Sequence, residues 1–368
     1  MKENEENSFP VSTSNGSPNA TTQPTSNDFS LVFVVLMAVF MTIMIIVSVM
    51  GNFVVCYIVY QKPAMRSAIN LLLATLAMAD VMTAICCMPF ALVTIITQDW
   101  VLGNEFCHVN GVLYSFLISE STLVLVTISI DRYLIIVKRR DTLTPQRAKI
   151  YIVASWVGAI LLAIPPVFHW GQYVYIQGQL QCSLRFPYSR TTGLSYGIFY
   201  LSFAFVFPFL LMTYCYFCIL KTVRRNSTRV QNHPPVPGGA TKMHIPGRMD
   251  INYSFKTRAF TTILILFLLF VVCCLPYTAV QFLLLFRGYS SSYMTSEASA
   301  VFLWLTYLNC TLKPVIYYLR IGKFREACID IMPSWCLQIP KCLPGRTIRR
   351  IRPQAIYEVD RKIAVSSI

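Results

Sequence analysis

Seven long stretches of mostly apolar residues dominate this chain and limit what it can fold into. A helix needs about 20 apolar residues to cross the roughly 30 Å of hydrocarbon in a lipid bilayer. Lipid offers the backbone no hydrogen-bond partners, so each stretch is expected to be helical; transmembrane strands would be about half as long. The sequence therefore predicts an all-α fold, a seven-transmembrane helix bundle, with spans at 31–59, 68–97, 106–137, 148–168, 194–220, 259–286 and 298–319.

Basic residues are distributed unevenly around these spans. The formal net charge is +15, which in a soluble protein would favour nucleic acid as a partner. However, 26 of the 31 Lys and Arg residues fall on one side of the predicted membrane, and the positive-inside rule makes that side cytoplasmic. We therefore expect a multi-pass plasma membrane protein with an extracellular N-terminus and a cytoplasmic C-terminus. Its basic side would contact anionic plasma membrane lipids, not nucleic acid.

The chain divides into four parts. The N-terminal part (1–30) is polar and predicted to be disordered, and its sequons make Asn15 and Asn19 candidate glycosylation sites. In the juxtamembrane part (320–333), Phe324, Cys328 and Ile331 fall on one face, which is typical of an amphipathic helix lying on a membrane. The parts are the extracellular N-terminus (1–30), the bundle (31–319), the amphipathic juxtamembrane helix (320–333) and a basic cytoplasmic tail (334–368).

The cysteines separate by compartment. Only Cys107 and Cys182 are predicted to face the oxidising outer side in accessible positions, so we expect a disulfide between them. On the cytoplasmic side, Cys328, Cys336 and Cys342 lie close to the membrane and are candidates for palmitoylation. The alternative for these three is that they remain free thiols.

A series of short motifs lies on the predicted spans. They are Gly51-Asn52, Leu76–Asp80, Pro89, Trp100, Asp131-Arg132-Tyr133, Trp156, Pro208, Tyr216, Phe270, Cys273–Pro276 and Pro314–Tyr317. In this order they resemble the rhodopsin-like family of G-protein-coupled receptors over about residues 31–333. Runs such as QKPAMRSAINLLLATLA and RRIRPQAIYEV resemble, more narrowly, a small branch of brain-enriched orphan receptors discussed near the lysophospholipid receptors. That resemblance implies an amphipathic lipid as a candidate for the unknown ligand.

The family resemblance implies that the cytoplasmic end activates a heterotrimeric G protein. In much of the family an acidic residue at the base of the sixth helix holds the arginine of the third, whereas residues 255–258 here are Phe-Lys-Thr-Arg. Without an acid at that place, we predict raised basal signalling. The residues implied in coupling and activation are Asp131, Arg132, Tyr133, Tyr216, Phe270 and Tyr317.

The resemblance also implies a polar site at mid-membrane, formed here by Asp80, Ser121, Asn309 and Lys313. The family usually holds a sodium ion there and carries Asn where Lys313 stands. A lysine paired with Asp80 would replace the ion, because pairing offsets the cost of burying each charge. The alternative is that Lys313 extends towards water and Asp80 is protonated. Glu120 also lies at mid-membrane, and one interpretation makes it a counter-charge or proton-linked switch. The favoured interpretation is a carboxyl that is protonated or hydrogen-bonded to Ser or His and packs towards the fourth and fifth helices.

The outer halves of the third, fifth, sixth and seventh spans are implied to line a ligand cavity. Tyr114 replaces the Asp that binds monoamines, and Tyr307 replaces the Lys that binds retinal, so both ligands are disfavoured. Cys274 replaces the switch tryptophan of the sixth helix, so neighbours such as Phe270 must relay activation, or ligand control is weak. The implied ligand-binding residues are Tyr114, Ile118, Tyr200, Cys274, Tyr277, Gln281, Leu303 and Tyr307.

Other classes of function fit the sequence less well. No nucleophile–base set or metal-ligand spacing points to an enzyme, a metal or a cofactor, and no internal repeat supports a transporter. A second alternative keeps the fold but makes the chain a ligand-independent modulator or scaffold, motivated by Cys274 and Lys313. The final Ser366-Ser367-Ile368 matches a C-terminal peptide ligand for PDZ domains.

Overall fold

The structure is a computed structural model and describes residues 29–176, 179–184, 191–231, 247–287 and 296–331. The predicted sites at Asn15, Asn19, Cys336, Cys342 and the C-terminal Ser366–Ile368 lie outside the described residues. The helices are α1 (Leu31–Gln61), α2 (Ala68–Cys86), α3 (Met88–Thr97), α4 (Asn104–Ile136), α5 (Pro145–Ala163), α6 (Thr191–Leu201), α7 (Phe207–Gln231), α8 (Gly247–Arg287), α9 (Ser296–Arg320) and α10 (Gly322–Ile331). The strands are β1 (Tyr173–Ile176) and β2 (Gln181–Leu184).

All seven predicted spans are present as helices long and apolar enough to cross a membrane. Helices α2 and α3 form the second span, α6 and α7 the fifth, and α8 and α9 the sixth and seventh. Helix α4 packs against α2, α5, α7 and α8 and is the central helix of the bundle. We call the end that carries Cys107 and the strands the disulfide end, and the opposite end, at Arg132, the Arg132 end.

Two spans contain breaks that the sequence did not predict. The second span is present over 68–97 as predicted, but helix α2 ends at Cys86 and α3 begins at Met88, so the helix is interrupted at Cys87. Pro89 explains the break, since proline has no N–H to donate and its ring crowds the preceding turn. In the fifth span a π-helical turn at Ser202–Val206 separates α6 from α7 and ends two residues before Pro208.

Side chains are distributed as in a protein dissolved in hydrocarbon. Leu31, Val35 and Phe53 of α1 expose more than half of their surface, while Asn52 of the same helix is fully buried. Polar groups face inward because lipid cannot hydrogen-bond to them, and apolar side chains can face lipid at no cost. The interior of the bundle is therefore where polar chemistry is concentrated.

The strands form a hairpin at the disulfide end. Strand β1 pairs antiparallel with β2, with Tyr175 opposite Cys182. The predicted disulfide between Cys107 and Cys182 is confirmed, and it fastens β2 to the first turn of α4. Burial raises the pKa of the Tyr173 phenol, which therefore stays a neutral donor and bonds to the Ala163 carbonyl at 3.3 Å.

Helix α10 has the predicted amphipathic form. Phe324 and Cys328 are buried against the Arg132 end of the bundle, whereas Lys323 and Arg325 are exposed. Its outward side carries an ion pair to α1, with the Asp330 carboxylate 2.8 Å from the Lys62 ammonium. The Cys328 thiol faces this core, and its predicted palmitoylation stays a prediction.

Candidate functional site

The centre of the bundle contains a buried ion pair. The Lys313 ammonium donates to Asp80 Oδ1 at 2.8 Å, and the two side chains are 1% and 0% exposed. This is the arrangement favoured from the sequence over a lysine that extends to water. Charges buried at this depth persist only when paired, because each ion alone would lose several kcal/mol of hydration.

The predicted partners Ser121 and Asn309 are buried but do not complete a network. Among the described residues, Ser121 Oγ, Asn309 Oδ1 and Asp80 Oδ2 have no hydrogen-bond partner. Of the predicted polar site, the structure shows the Asp80–Lys313 pair as a direct contact, and the roles of Ser121 and Asn309 stay predictions. The polar site consists of one strong contact and adjacent unpaired polar atoms.

The position of α9, which carries Lys313, is fixed by contact with α1. The Asn52 amide donates to the Cys310 carbonyl at 3.2 Å, across the two helices. One residue away, a Cβ atom added to Gly51 would lie 2.7 Å from Pro314 Cγ. Only glycine allows this approach, so Gly51 and Asn52 together set the depth and rotation of Lys313.

At the Arg132 end, the arginine is held by its own neighbour. Arg132 donates to Asp131 Oδ2 from Nε at 2.9 Å and from Nη2 at 2.5 Å. Within the described part of the chain this is the only ion pair of Arg132. Tyr133 lies beside it, with its ring 6.0 Å from that of Tyr214. Among the side chains that the structure describes, the arginine is thus restrained within α4 and not by a charge on another helix.

Tyr216 joins three helices near Arg132. Its hydroxyl donates to the Ile263 carbonyl of α8 at 3.3 Å and lies 3.1 Å from Ser129 Oγ of α4. Tyr317 of α9 is buried nearby in the same apolar cluster, and its hydroxyl has no partner among the described residues. Both tyrosines therefore have hydroxyls that could take other partners if the helices move.

A row of stacked aromatic rings leads from the interior to Tyr216. The ring of Phe270 lies 5.6 Å from Phe205, and Phe205 lies 5.9 Å from Phe209. Phe209 lies 6.4 Å from Phe267, which in turn lies 4.7 Å from Tyr216. The row alternates between α8 and the fifth span. Phe270 and Tyr216 are thus linked by a continuous series of ring contacts.

A small cavity lies above Phe270, towards the disulfide end. Its volume is about 70 Å³, and α4, the fifth span, α8, α9 and β2 contribute to its walls. Six of the eight predicted ligand-binding residues line it, namely Tyr114, Ile118, Tyr200, Cys274, Tyr277 and Gln281. Phe205, Ser183 and Thr306 line it as well and were not predicted.

Leu303 and Tyr307, which were also predicted to bind the ligand, do not line this cavity. Leu303 is fully buried in the apolar cluster at the disulfide end. Tyr307 turns to the hairpin, where its hydroxyl donates to Gln181 Oε1 at 2.5 Å. Thr306 faces the cavity instead and bonds to the Tyr114 hydroxyl at 2.7 Å. Adjacent residues on a helix point about 100° apart, so a small error in helix rotation exchanges one for the other.

The hairpin covers the cavity. The Ser183 and Tyr277 hydroxyls are 2.9 Å apart, and Tyr277 lies 3.4 Å from Gln179 Oε1. With the Tyr307–Gln181 bond, these contacts tie the hairpin to both α8 and α9. Buried glutamines flanking a predicted disulfide cysteine are the sequence feature that could have indicated this contact.

Glu120 takes the role expected for it. Its carboxylate accepts a hydrogen bond from Ser155 Oγ of α5 at 2.8 Å. The residue is fully buried and lies between α4 and α5, away from the small cavity. This contact supports helix packing, which was the favoured interpretation.

Seven spans, a disulfide-anchored hairpin and an arginine at the opposite end define a membrane receptor. The model of the seven-transmembrane receptors of the rhodopsin family matches residues 51–317, and the chain belongs to this family; it is a receptor and not an enzyme. It is 45% identical to the high-affinity lysophosphatidic acid receptor of Xenopus laevis, over 89% of this chain and 90% of that protein. It is 42% identical to the human "Probable G-protein coupled receptor 45", over 94% of each. The crystal structure of squid rhodopsin has the same fold, with a TM-score of 0.72 at 23% identity, covering 84% of this chain and 82% of that one.

Proposed function

We propose that this receptor activates heterotrimeric G proteins through its Arg132 end and has raised basal activity. The observation that carries the proposal is the restraint on Arg132, which pairs with Asp131 of its own helix. Residues 255–258 of α8 supply no acid to hold the arginine across helices. The two side chains are 15% and 4% exposed and lie on one helix, so release of the arginine to a partner breaks no ion pair between helices among the described side chains.

The proposal requires the Arg132 end to face the cytoplasm. The concentration of Lys and Arg in the segments at this end supports that orientation. The pairing of Cys107 with Cys182 at the opposite end supports it as well, since disulfides persist on the oxidising side of the plasma membrane. A cytoplasmic G protein and anionic inner-leaflet lipids would then meet the same basic face.

Signalling without a ligand is the first candidate. If the receptor does have a ligand, the candidate is an amphipathic lipid. The aromatic cavity and the name of the Xenopus laevis relative, a lysophosphatidic acid receptor, support a lipid. Against it, the cavity measures about 70 Å³, whereas ligand sites usually measure about 300–1,000 Å³. A lipid would have to displace the hairpin. The small, covered cavity therefore favours activity that does not depend on an added ligand.

Nucleotide exchange on a purified system tests the proposal. The receptor in lipid nanodiscs is mixed with purified G proteins of each class, and GTPγS loading is measured without ligand. We expect loading above the receptor-free rate for at least one class, and its loss with Arg132→Ala. Lys149→Ala is the matched control, because Lys149 is an exposed basic residue at the same end of the bundle. Loading at the receptor-free rate for every class would overturn the proposal.

That negative result would favour the second candidate, a modulator or scaffold without exchange activity. The specific observation behind it is Cys274, which lines the cavity floor where the family carries a tryptophan lever. The C-terminal Ser366-Ser367-Ile368 would then serve as a docking peptide for a PDZ domain. Peptide capture by PDZ domains, lost on deletion of Ile368, tests this part separately.

A further inference from the structure

A second and larger cavity opens on the outside of the bundle, at the disulfide end. It lies between α4 and α5 and is closed at one end by the turn after α5 and by Tyr173 of β1. Its volume is about 740 Å³, ten times that of the interior cavity, and no residue lines both. We call it the α4–α5 groove.

The groove has one apolar and one polar half. Val112, Phe116 and Ile160 form the apolar half on the facing sides of α4 and α5. The polar half consists of the exposed side chains of Glu105, His108, His169 and Gln172. In the part of the chain that the structure describes, none of these four side chains has a hydrogen bond or ion pair recorded to another residue. An occupant would have to be amphipathic to match both halves.

Two tryptophans show at what depth the polar half lies. Trp100 precedes α4 by one turn, and Trp170 lies in the turn after α5, where its Nε1 donates to Ser195 Oγ at 2.9 Å. Tryptophan concentrates at membrane interfaces, with its ring at the level of the lipid headgroups. The polar half of the groove is therefore at headgroup level, and Phe116 and Ile160 lie deeper, in the hydrocarbon.

We propose that the α4–α5 groove binds one zwitterionic phospholipid from the leaflet at the disulfide end. The carboxylate of Glu105 attracts the headgroup ammonium by charge, and the amide and imidazole N–H groups of Gln172, His108 and His169 donate to the phosphate. One acyl chain lies along Phe116. Charge selects the headgroup: among the described residues that line the groove, Glu105 is the only Asp, Glu, Lys or Arg, so an anionic headgroup without an ammonium is repelled.

The size and position of the groove support a lipid rather than a soluble ligand. Its volume falls within the range of about 300–1,000 Å³ that is typical of small-molecule sites. Its apolar half opens to hydrocarbon, where a water-soluble molecule gains nothing. The site does not depend on G-protein coupling, so its failure and that of the proposed function are distinguishable.

Photocrosslinking to the full-length receptor tests the proposal. The receptor is reconstituted with a photoactivatable phosphatidylcholine or with a phosphatidylglycerol that has the same chains, and labelled peptides are mapped by mass spectrometry. We expect phosphatidylcholine to label residues 105–116 and 160–173 in preference to the rest of the lipid-facing surface. Phosphatidylglycerol should label these segments no more than other surfaces.

Two variants sharpen the test. Glu105→Gln keeps the side-chain shape but removes the charge, and should lower phosphatidylcholine labelling of the groove about tenfold, corresponding to about 1.4 kcal/mol. Val109→Trp should block the groove, because Val109 lines it and is 60% exposed. Val153→Trp is the matched control, since Val153 is 62% exposed on α5 and does not line the groove.

Several outcomes would overturn the proposal. Uniform labelling around the bundle, or equal labelling by both lipids, would mean that the groove contains only bulk lipid. Receptor–receptor crosslinks through residues 105–116 that exclude lipid would make the groove an interface between two copies. Unchanged labelling in Glu105→Gln would remove the role of the carboxylate.

Discussion

The ammonium of Lys313 lies 2.8 Å from Oδ1 of Asp80, with both side chains excluded from solvent at the centre of the bundle. The cation at this place is therefore part of the chain. It cannot diffuse away, and its position depends on α9, which the Gly51 contact holds against α1. Removal of the cation requires movement of a helix.

The two charges should depend on each other for stability. Asp80→Asn or Lys313→Met alone leaves one buried charge unpaired and should cost about 3–5 kcal/mol of the free energy of unfolding. The double variant should cost less than the sum, because it leaves no charge behind. Thermal unfolding of the four purified proteins measures this coupling. Additive losses would show that the two residues act independently.

Sodium should have no effect on the wild-type receptor. The Lys313 ammonium occupies the place beside Asp80 that a sodium ion would need, and two cations would repel each other there. Lys313→Asn vacates that place and should make basal GTPγS loading or thermal stability sensitive to sodium, with potassium as the control ion. Equal sodium responses of wild type and Lys313→Asn would contradict the prediction.

The aromatic row should hold α8 against the fifth span in the described conformation. Phe270→Leu keeps an apolar side chain but loses the ring contact with Phe205, which is worth about 0.5–1.5 kcal/mol. Since Tyr216 of α7, at the other end of this row, bonds to Ile263 of α8, the substitution should raise basal GTPγS loading by up to about tenfold. Phe203→Ala is the control, because Phe203 is 52% exposed and lies outside the row. Reduced loading in Phe270→Leu would mean that the row supports the signalling conformation.

Cys328 should react slowly with thiol reagents near neutral pH. Burial raises the pKa of its thiol, and the nearby Lys62 ammonium offsets part of the rise, so the reactive thiolate is scarce until the pH is well above neutral. Maleimide labelling of the Cys328 peptide should increase as the pH is raised. Ile329→Cys, at a 40% exposed position of the same helix, should label readily at pH about 7.5. Equal rates at both positions would refute burial of Cys328.

The features that lipid dictates were predictable from the sequence. The spans follow from the length of apolar segments, and the pairing of Asp80 with Lys313 follows from the cost of an unpaired charge in hydrocarbon. The disulfide followed from there being two accessible cysteines on one side. In each case a single strong physical constraint acted on the residue itself.

The features that depend on packing were not predictable. Strands β1 and β2 have four residues each, too few for a periodic pattern, and the Cys107–Cys182 bond and contacts with Tyr277 and Tyr307 hold the hairpin in place. The rotation of α9 decided that Thr306 and not Tyr307 faces the cavity. Helical periodicity alone cannot predict that rotation, because the rotation of α9 depends on the neighbouring helices.

The hairpin over the cavity changes what a drug screen against this receptor can find. A compound aimed at the interior competes with a segment tethered at an effective concentration on the order of millimolar, so weak hits should be lost before they are seen. A first screen should therefore use receptor that lacks the Tyr277 and Tyr307 hydroxyls that hold the hairpin. A second screen, with both hydroxyls restored, then selects the compounds that can displace the hairpin unaided.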